Sequence, residues 1–235
     1  MRLDLYLSER NYCDSRTKAK SLIREGKVKV DGITIFKPSF DIGDQRVEVE
    51  TQLQYVSRAG EKLALFLEEA DLLIEGREVL DIGSSTGGFT EVLLRFGAAS
   101  VTAVDVGTAQ LHPSLKVDRR VISHEQTDIR EFESKRPFSL VTCDVSFVGI
   151  SHILPSIDRL SERDIILLFK PQFEVGREVK RDSRGVVKDR EAIIRAQKRF
   201  EAECTKLDWH LIQMAESKVR GKEGNVEIFY HFAKR

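Results

Sequence analysis

One run constrains this chain more than any other. An apolar segment, Val79-Leu80-Asp81-Ile82, passes through Gly83-Ser84-Ser85-Thr86-Gly87-Gly88 into Phe89-Thr90 and an amphipathic stretch that continues to Phe96. A strand, a glycine-rich turn and a helix in immediate succession commit the segment to a β-α unit, and only glycine lets the backbone pass close beneath a ligand at such a turn. The alternation continues: residues 79–82, 101–106, 121–124, 140–143 and 165–169 read as strands, and 88–96, 150–160 and 190–207 as helices. This pattern predicts a mostly parallel sheet with helices on both faces. Two more β-like runs, 209–214 and 226–232, flank a polar stretch, so the last strand is expected to enter antiparallel.

Composition narrows the setting. The 235 residues carry 38 basic and 38 acidic side chains, so attraction to a polyanion requires local segregation of charge. Residues 1–37 supply it, with nine basic side chains against five acidic ones. There Leu3 and Leu7, then Ala19, Leu22 and Ile23, recur at helical spacing, Ser15 can cap the second helix, and Gly26 can end it. Val28, Val30, Ile33 and Ile35 flank the hairpin signal Asp31-Gly32, and residues 46–50 add a strand. The prediction is a small α+β domain over 1–50, a linker over 51–60 and the α/β domain over 61–235. Arg2, Arg16, Lys18, Lys20, Arg24, Lys27 and Lys29 form a basic stripe that suits a phosphate backbone, although solvated helix faces also carry lysines. Cys13, Cys143 and Cys204 are odd in number and unpaired in spacing, and the five histidines are scattered, so neither a disulfide framework nor a metal site is expected. With no signal-like start and no apolar window of about 18 residues, the expectation is a cytoplasmic protein without membrane association.

In doubly wound sheets ligands bind at the carboxyl ends of the strands. A dinucleotide fingerprint needs G-x-G-x-x-G, and Ser85 breaks it. A carboxylate at Asp81 would repel a pyrophosphate but could pair with the methionine ammonium of S-adenosylmethionine. Asp105 follows where a carboxylate can accept ribose hydroxyls, and Asp128 where one can receive the adenine amino group. Each aspartate alone is an ordinary loop cap; three at successive strand ends point to a cofactor. The candidate cofactor set is Asp81, Gly83, Ser84, Ser85, Gly87, Gly88, Phe89, Asp105, Val106, Asp128, Ile129 and Asp144. Methyl transfer is an in-line displacement, and a hydroxyl acceptor also needs help in losing its proton. After the fourth strand stands Cys143-Asp144-Val145-Ser146-Phe147, which lacks the Asn/Asp-Pro-Pro-Tyr/Phe of exocyclic-amine methyltransferases and the Pro-Cys of cytosine C5 enzymes. Cys143 reads as a small core residue. Lys170 ends the fifth apolar run, where desolvation favours the neutral amine, though a lysine there can also snorkel to solvent.

Two resemblances sharpen these readings. RLDLYLSER followed by SRTKAKSLIREGKVKVDGITIFKPS resembles the RNA-binding domain named after ribosomal protein S-four, through Arg2-Leu3-Asp4, Ser15-Arg16, Ala19, Ile23, Gly26, Val28, Val30, Gly32 and Lys37-Pro38-Ser39. That resemblance implies recognition of structured RNA by shape and phosphate contacts. SRAGEKL, LDIGSSTGGFTEVLL, AVDVGTAQL, CDVSF, KPQFE and GNVEIF resemble FtsJ-like ribose 2′-O-methyltransferases and, over the whole chain, the hemolysin A or TlyA-type rRNA methyltransferases. The resemblance implies a Rossmann-like seven-stranded sheet, S-adenosylmethionine as cofactor, ribosomal RNA or ribosomal subunits as partner, and a tetrad of Lys62, Asp144, Lys170 and Glu227. In that tetrad Lys170 is the expected base toward the 2′-hydroxyl, or else it steers the hydroxyl while water takes the proton. Asp144 and Glu227 position the lysines, Lys62 orients the acceptor, and Arg58 joins the RNA contacts. Residues 174–188, polar and aperiodic, are expected to form a mobile loop that orders on RNA, or a plain connection. The competing functions are a non-catalytic ribosome assembly factor and a membrane-active hemolysin.

Overall fold

The computed structural model describes residues 1–10, 12, 13, 15–49 and 55–234. In the first unit, residues 1–54, α1 (Leu3–Glu9) and α2 (Arg16–Arg24) precede a small sheet of β1 (Val28–Val30), β2 (Ile33–Thr34) and β3 (Val47–Val49). The Ser15 hydroxyl accepts the Lys18 amide at 3.2 Å and so caps α2. Asp31 and Gly32 both take positive φ, 49° and 78°, the backbone a two-residue hairpin demands. Val30 therefore pairs with Ile33, and β1 lies between β2 and β3. Leu3, Leu7, Ala19, Ile23 and Val28 are fully buried in this unit's core. Residues 50–54, the end of the third expected strand and the start of the expected linker, lie outside the described residues.

The second unit begins at Tyr55, so the rest of the expected linker belongs to it. Residues 58–60 open α3 (Arg58–Leu67), where close packing explains the glycine at position 60. A Cβ on Gly60 would lie 2.6 Å from Tyr55 Cβ and 3.0 Å from the Gly88 carbonyl, while one on Gly88 would lie 2.7 Å from the Gly60 nitrogen. The glycines mark a tight helix crossing rather than a flexible joint.

Beyond α3 the chain forms β4 (Glu78–Ile82), α4 (Gly88–Arg95), β5 (Ser100–Val104), α5 (Pro113–Lys116), β6 (Val121–His124) and β7 (Phe138–Cys143). A 3-10 turn (Ile150–His152) leads into α6 (Leu154–Leu160), β8 (Ser161–Phe169), α7 (Pro171–Glu174), α8 (Arg190–Lys206), β9 (Trp209–Glu216) and β10 (Ile228–Lys234). The sheet order is β6-β5-β4-β7-β8-β10-β9; the first five strands are parallel and β10 is antiparallel to both neighbours. Alternate residues of the strands serve opposite cores: Leu80, Ile82, Ile165 and Leu167 meet α6 and α8, whereas Val79, Ile166 and Leu168 meet α3 and α4. The expected helix over 150–160 is broken after its first turn, and Pro155, which cannot donate a backbone hydrogen bond, stands in the first turn of α6.

The 174–188 segment has more fixed structure than its composition suggests. Val175 and Val187 are buried, the Arg181 guanidinium donates to the carbonyls of Gln172, Gly176 and Val179, and Asn225 Oδ1 accepts the Val187 amide at 3.0 Å. Two valines and one arginine hold it against its neighbours, contacts that periodicity cannot report. Among the described residues no helix is long and apolar enough to cross a membrane, and no cluster of three or more His, Cys, Asp or Glu side chains is arranged to hold a metal.

Candidate active site

A cavity of about 460 Å³ opens at the carboxyl ends of β4, β5, β6 and β7. Gly83, at φ 77°, passes so close to the Asp144 carbonyl that a Cβ would lie 3.0 Å from it, which explains the glycine. Ser85 takes φ 46°, a strained region for a side-chain-bearing residue, and its amide donates to Asp105 Oδ2 at 2.8 Å. The Gly107 amide donates to Asp105 Oδ1 at 2.7 Å. Asp105 thus stands at the cavity wall with both oxygens oriented and acceptor capacity to spare. Val106, Asp128, Ile129 and Asp144 also line the wall. Hydrogen bonds from Arg130 hold the Asp128 carboxyl down at about 2.

Five of the expected cofactor residues do not line this cavity and make contacts inside the fold. Asp81 is fully buried inside β4, where its carboxylate accepts the hydroxyls of Thr90 at 2.6 Å and Thr142 at 3.0 Å. Burial pushes its pKa up to about 6 against the pull of those two hydroxyls. It faces α4 rather than the cavity, because strand parity turns position 81 to the side opposite Leu80 and Ile82. Ser84 is buried, and its amide points to the Val104 carbonyl. Gly87, at φ 92°, turns the chain where a Cβ would strike Leu115 at 2.2 Å; Gly88 makes the crossing with α3; Phe89 is buried against Phe229. The helix carries these residues away from the cavity.

Beside the cavity four long-separated residues converge in two ion pairs. Lys62, from α3, places Nζ 2.6 Å from Glu227 Oε2, on the residue before β10. Lys170, just after β8, places Nζ 2.6 Å from Asp144 Oδ1, just after β7. Lys62, Lys170 and Glu227 are buried. Burial raises the Asp144 carboxyl above its ordinary range; Lys170 and Lys62 pull it back and Glu227 adds to the rise, so the four charges are coupled. Cys143 is wholly buried, as a core residue should be.

Three neighbours were not anticipated. Lys170 Nζ donates to Ser146 Oγ at 2.8 Å, and Gln172 Nε2 donates to Glu227 Oε1 at 3.3 Å. Phe147 lines the cavity at φ 69° with 92% of its surface exposed, its ring 5.5 Å from that of Phe173. The CDVSF and KPQFE strings contain all three, but only the tertiary structure distinguishes them from filler.

The basic stripe of the first unit divides. Arg2 and Arg16 are half-exposed, yet each sets Nε 3.0 Å from the fully buried Asp4. The Arg2 hydrogen bonds, with Arg16 assisting, hold the Asp4 carboxyl at about 2. These two arginines therefore clamp the fold as well as face solvent. Lys18 and Arg24 are exposed, Lys20, Lys27 and Lys29 half-buried, and Lys27 lies 2.9 Å from Glu25. In the second unit the exposed Arg58 donates to the Arg220 carbonyl at 2.8 Å.

Comparison with known proteins agrees with this architecture. Residues 55–234 match the FtsJ-like methyltransferase model, and residues 1–45 match the S4 domain. The chain is 46% identical to the 23S rRNA (cytidine-2′-O)-methyltransferase TlyA of Campylobacter jejuni, with all of both chains covered. It is 39% identical to the 16S/23S rRNA (cytidine-2′-O)-methyltransferase TlyA of Mycobacterium tuberculosis, over 97% of this chain and 88% of that one. A solved structure of a putative hemolysin from Streptococcus thermophilus superposes with a TM-score of 0.75 at 33% identity, covering 100% of this chain and 88% of that one. Two domain models, full-length relatives and a shared fold thus converge: the chain belongs to the FtsJ-like methyltransferases, in the TlyA and hemolysin A branch that joins an S4 domain to the methyltransferase domain.

Proposed function

We propose that this methyltransferase takes S-adenosylmethionine as cofactor and methylates a ribose 2′-oxygen of ribosomal RNA, with its N-terminal domain binding the RNA. One observation carries the reading: Asp144 both lines the cavity and pairs with Lys170, so the cofactor cradle and the lysine–carboxylate set share a wall.

The cavity's donor set suits that cofactor. Asp105, held by two amides, has lone pairs left for vicinal ribose hydroxyls. Asp128 and Ile129 offer one acceptor and one apolar surface to an adenine. When bound, S-adenosylmethionine supplies an electrophilic methyl group on a sulfonium. The rest belongs to the protein. Lys170 receives the 2′-hydroxyl proton, and the Asp144 carboxylate and Ser146 hydroxyl fix its Nζ. Lys62, anchored by Glu227, orients the acceptor or its phosphate. A lysine that acts as a base must first shed its own proton. Phe147, exposed at the rim, offers a stacking face to the target base, the usual means of holding an unstacked nucleotide. A ribosomal RNA substrate implies action in the cytoplasm.

The test is transfer of labelled methyl to ribosomal subunits and to naked rRNA, followed by digestion to nucleosides. A 2′-O-methyl nucleoside is expected. A base-methylated product would overturn the tetrad roles, and cofactor binding without incorporation would point to a non-catalytic assembly factor.

A further inference from the structure

Asp128 is not a free carboxylate at the cavity wall. It accepts the backbone amide of Arg130 at 2.9 Å, and the Arg130 side chain folds back over it, Nε at 2.9 and 3.1 Å from Oδ1 and Oδ2 and Nη2 at 2.5 Å from Oδ2. Three donors of one residue thus fix both oxygens and the carboxylate plane. Nε is shared between the two oxygens, so three hydrogens occupy about three of a carboxylate's roughly four acceptor sites and leave about one. Both residues line the cavity, and the intervening Ile129 is buried in its wall. Arg130 is exposed, and the same amide-plus-guanidinium turn recurs at Asp118 and Arg120 outside the cavity lining. What singles out Asp128 and Arg130 is that this turn stands in the cavity wall.

We propose that Arg130 is a positioning residue for the adenine subsite, aiming a single carboxylate acceptor at one exocyclic N–H and so setting the preference for an amino-bearing purine. The inference rests on the cofactor reading above and deepens it. A fixed lone acceptor accepts an amino group and repels a carbonyl oxygen at the same place. A freely turning carboxylate discriminates less, because it can rotate toward solvent.

Calorimetric binding of S-adenosylhomocysteine and of S-inosylhomocysteine, which carries a carbonyl in place of the amino group, tests this without turnover. The unaltered protein is expected to favour the adenosyl compound by about tenfold or more, the scale of one hydrogen bond to a charged group. Arg130→Ala should weaken the adenosyl compound about fivefold to tenfold and leave the inosyl compound within about twofold, so that the ratio collapses. Arg130→Lys, which restores charge without the fork, should recover only part of it. Equal weakening of both compounds would show a general contact of Arg130 with the ligand, and an unchanged ratio would show no role in selection; either overturns the proposal. Asp128→Asn separates the two levels: if it leaves the ratio intact, adenine does not sit at Asp128 and the subsite assignment fails together with the role of Arg130. Thermal unfolding midpoints of the variants should stay near that of the unaltered protein, and a fall matching the loss of affinity would also overturn it.

Discussion

Lys170 and Asp81 show how differently two ionisable residues near one cavity behave. Lys170 is buried and bonded to Asp144 and Ser146. Lys170→Ala is expected to lower methyl transfer by about a hundredfold or more and to leave S-adenosylhomocysteine affinity within a few-fold, measured by turnover and calorimetry together. Unaltered turnover would remove Lys170 from the base role. Asp81 is a matter of stability. Its folded pKa of about 6 lies above the usual carboxylate value because burial penalises the charge. A raised folded pKa means that the contribution to stability is present below the unfolded value and is lost as pH rises through about 6. Asp81→Asn should therefore gain stability relative to the unaltered protein between pH 4 and pH 7, by a few kcal/mol at most, as read from urea unfolding at both values. A pH-independent difference would contradict the burial account. At this scale the sequence showed which residue types carry chemistry, and parity along β4 decided that Asp81 turns toward Thr90 while Asp105 and Asp128, beyond their strand ends, reach the cavity wall.

Among the elements, the crossing of α3 and α4 was the least legible and positions the site most directly. The spacing of residues 51–60 carries no helical period, so the start of α3 reads as linker, yet Gly60 and Gly88 bring two backbones together and set Lys62 beside Glu227. Gly88→Ala is expected to destabilise by about 1–3 kcal/mol, because its Cβ would meet the Gly60 nitrogen at 2.7 Å, and to reduce transfer by displacing Lys62. Gly43→Ala, where the nearest atom to a new Cβ is a Gln45 side-chain oxygen at 3.6 Å, serves as the control in the same denaturation series. Equal behaviour of the two variants would show that the crossing tolerates a methyl group. The Asp31-Gly32 hairpin and the Ser15 cap were legible for the opposite reason: each is decided by residues adjacent in the chain.

For the molecule as a whole, neutrality hides a division of labour. Lys18 and Arg24 are exposed and available to the proposed RNA contact, while Arg2 and Arg16 compensate the buried Asp4. Lys18→Glu with Arg24→Glu should weaken RNA binding and flatten its dependence on salt by about one unit of slope for each phosphate no longer neutralised, with the N-terminal domain still folded. Arg16→Glu should instead unfold that domain more readily, since Asp4 would face a second buried-side carboxylate; circular dichroism and filter binding at several salt concentrations separate the two. What the sequence by itself determined was everything encoded in neighbouring residues: the strand–glycine–helix unit, the α/β alternation, the hairpin, the basic N-terminal segment. The tertiary structure alone decided the pairings, since Lys62 and Glu227 stand 165 residues apart, and also which aspartates face the cavity and which glycines serve packing. Local backbone preference is written along the chain, whereas burial and ion pairing depend on which distant elements the sheet brings into register.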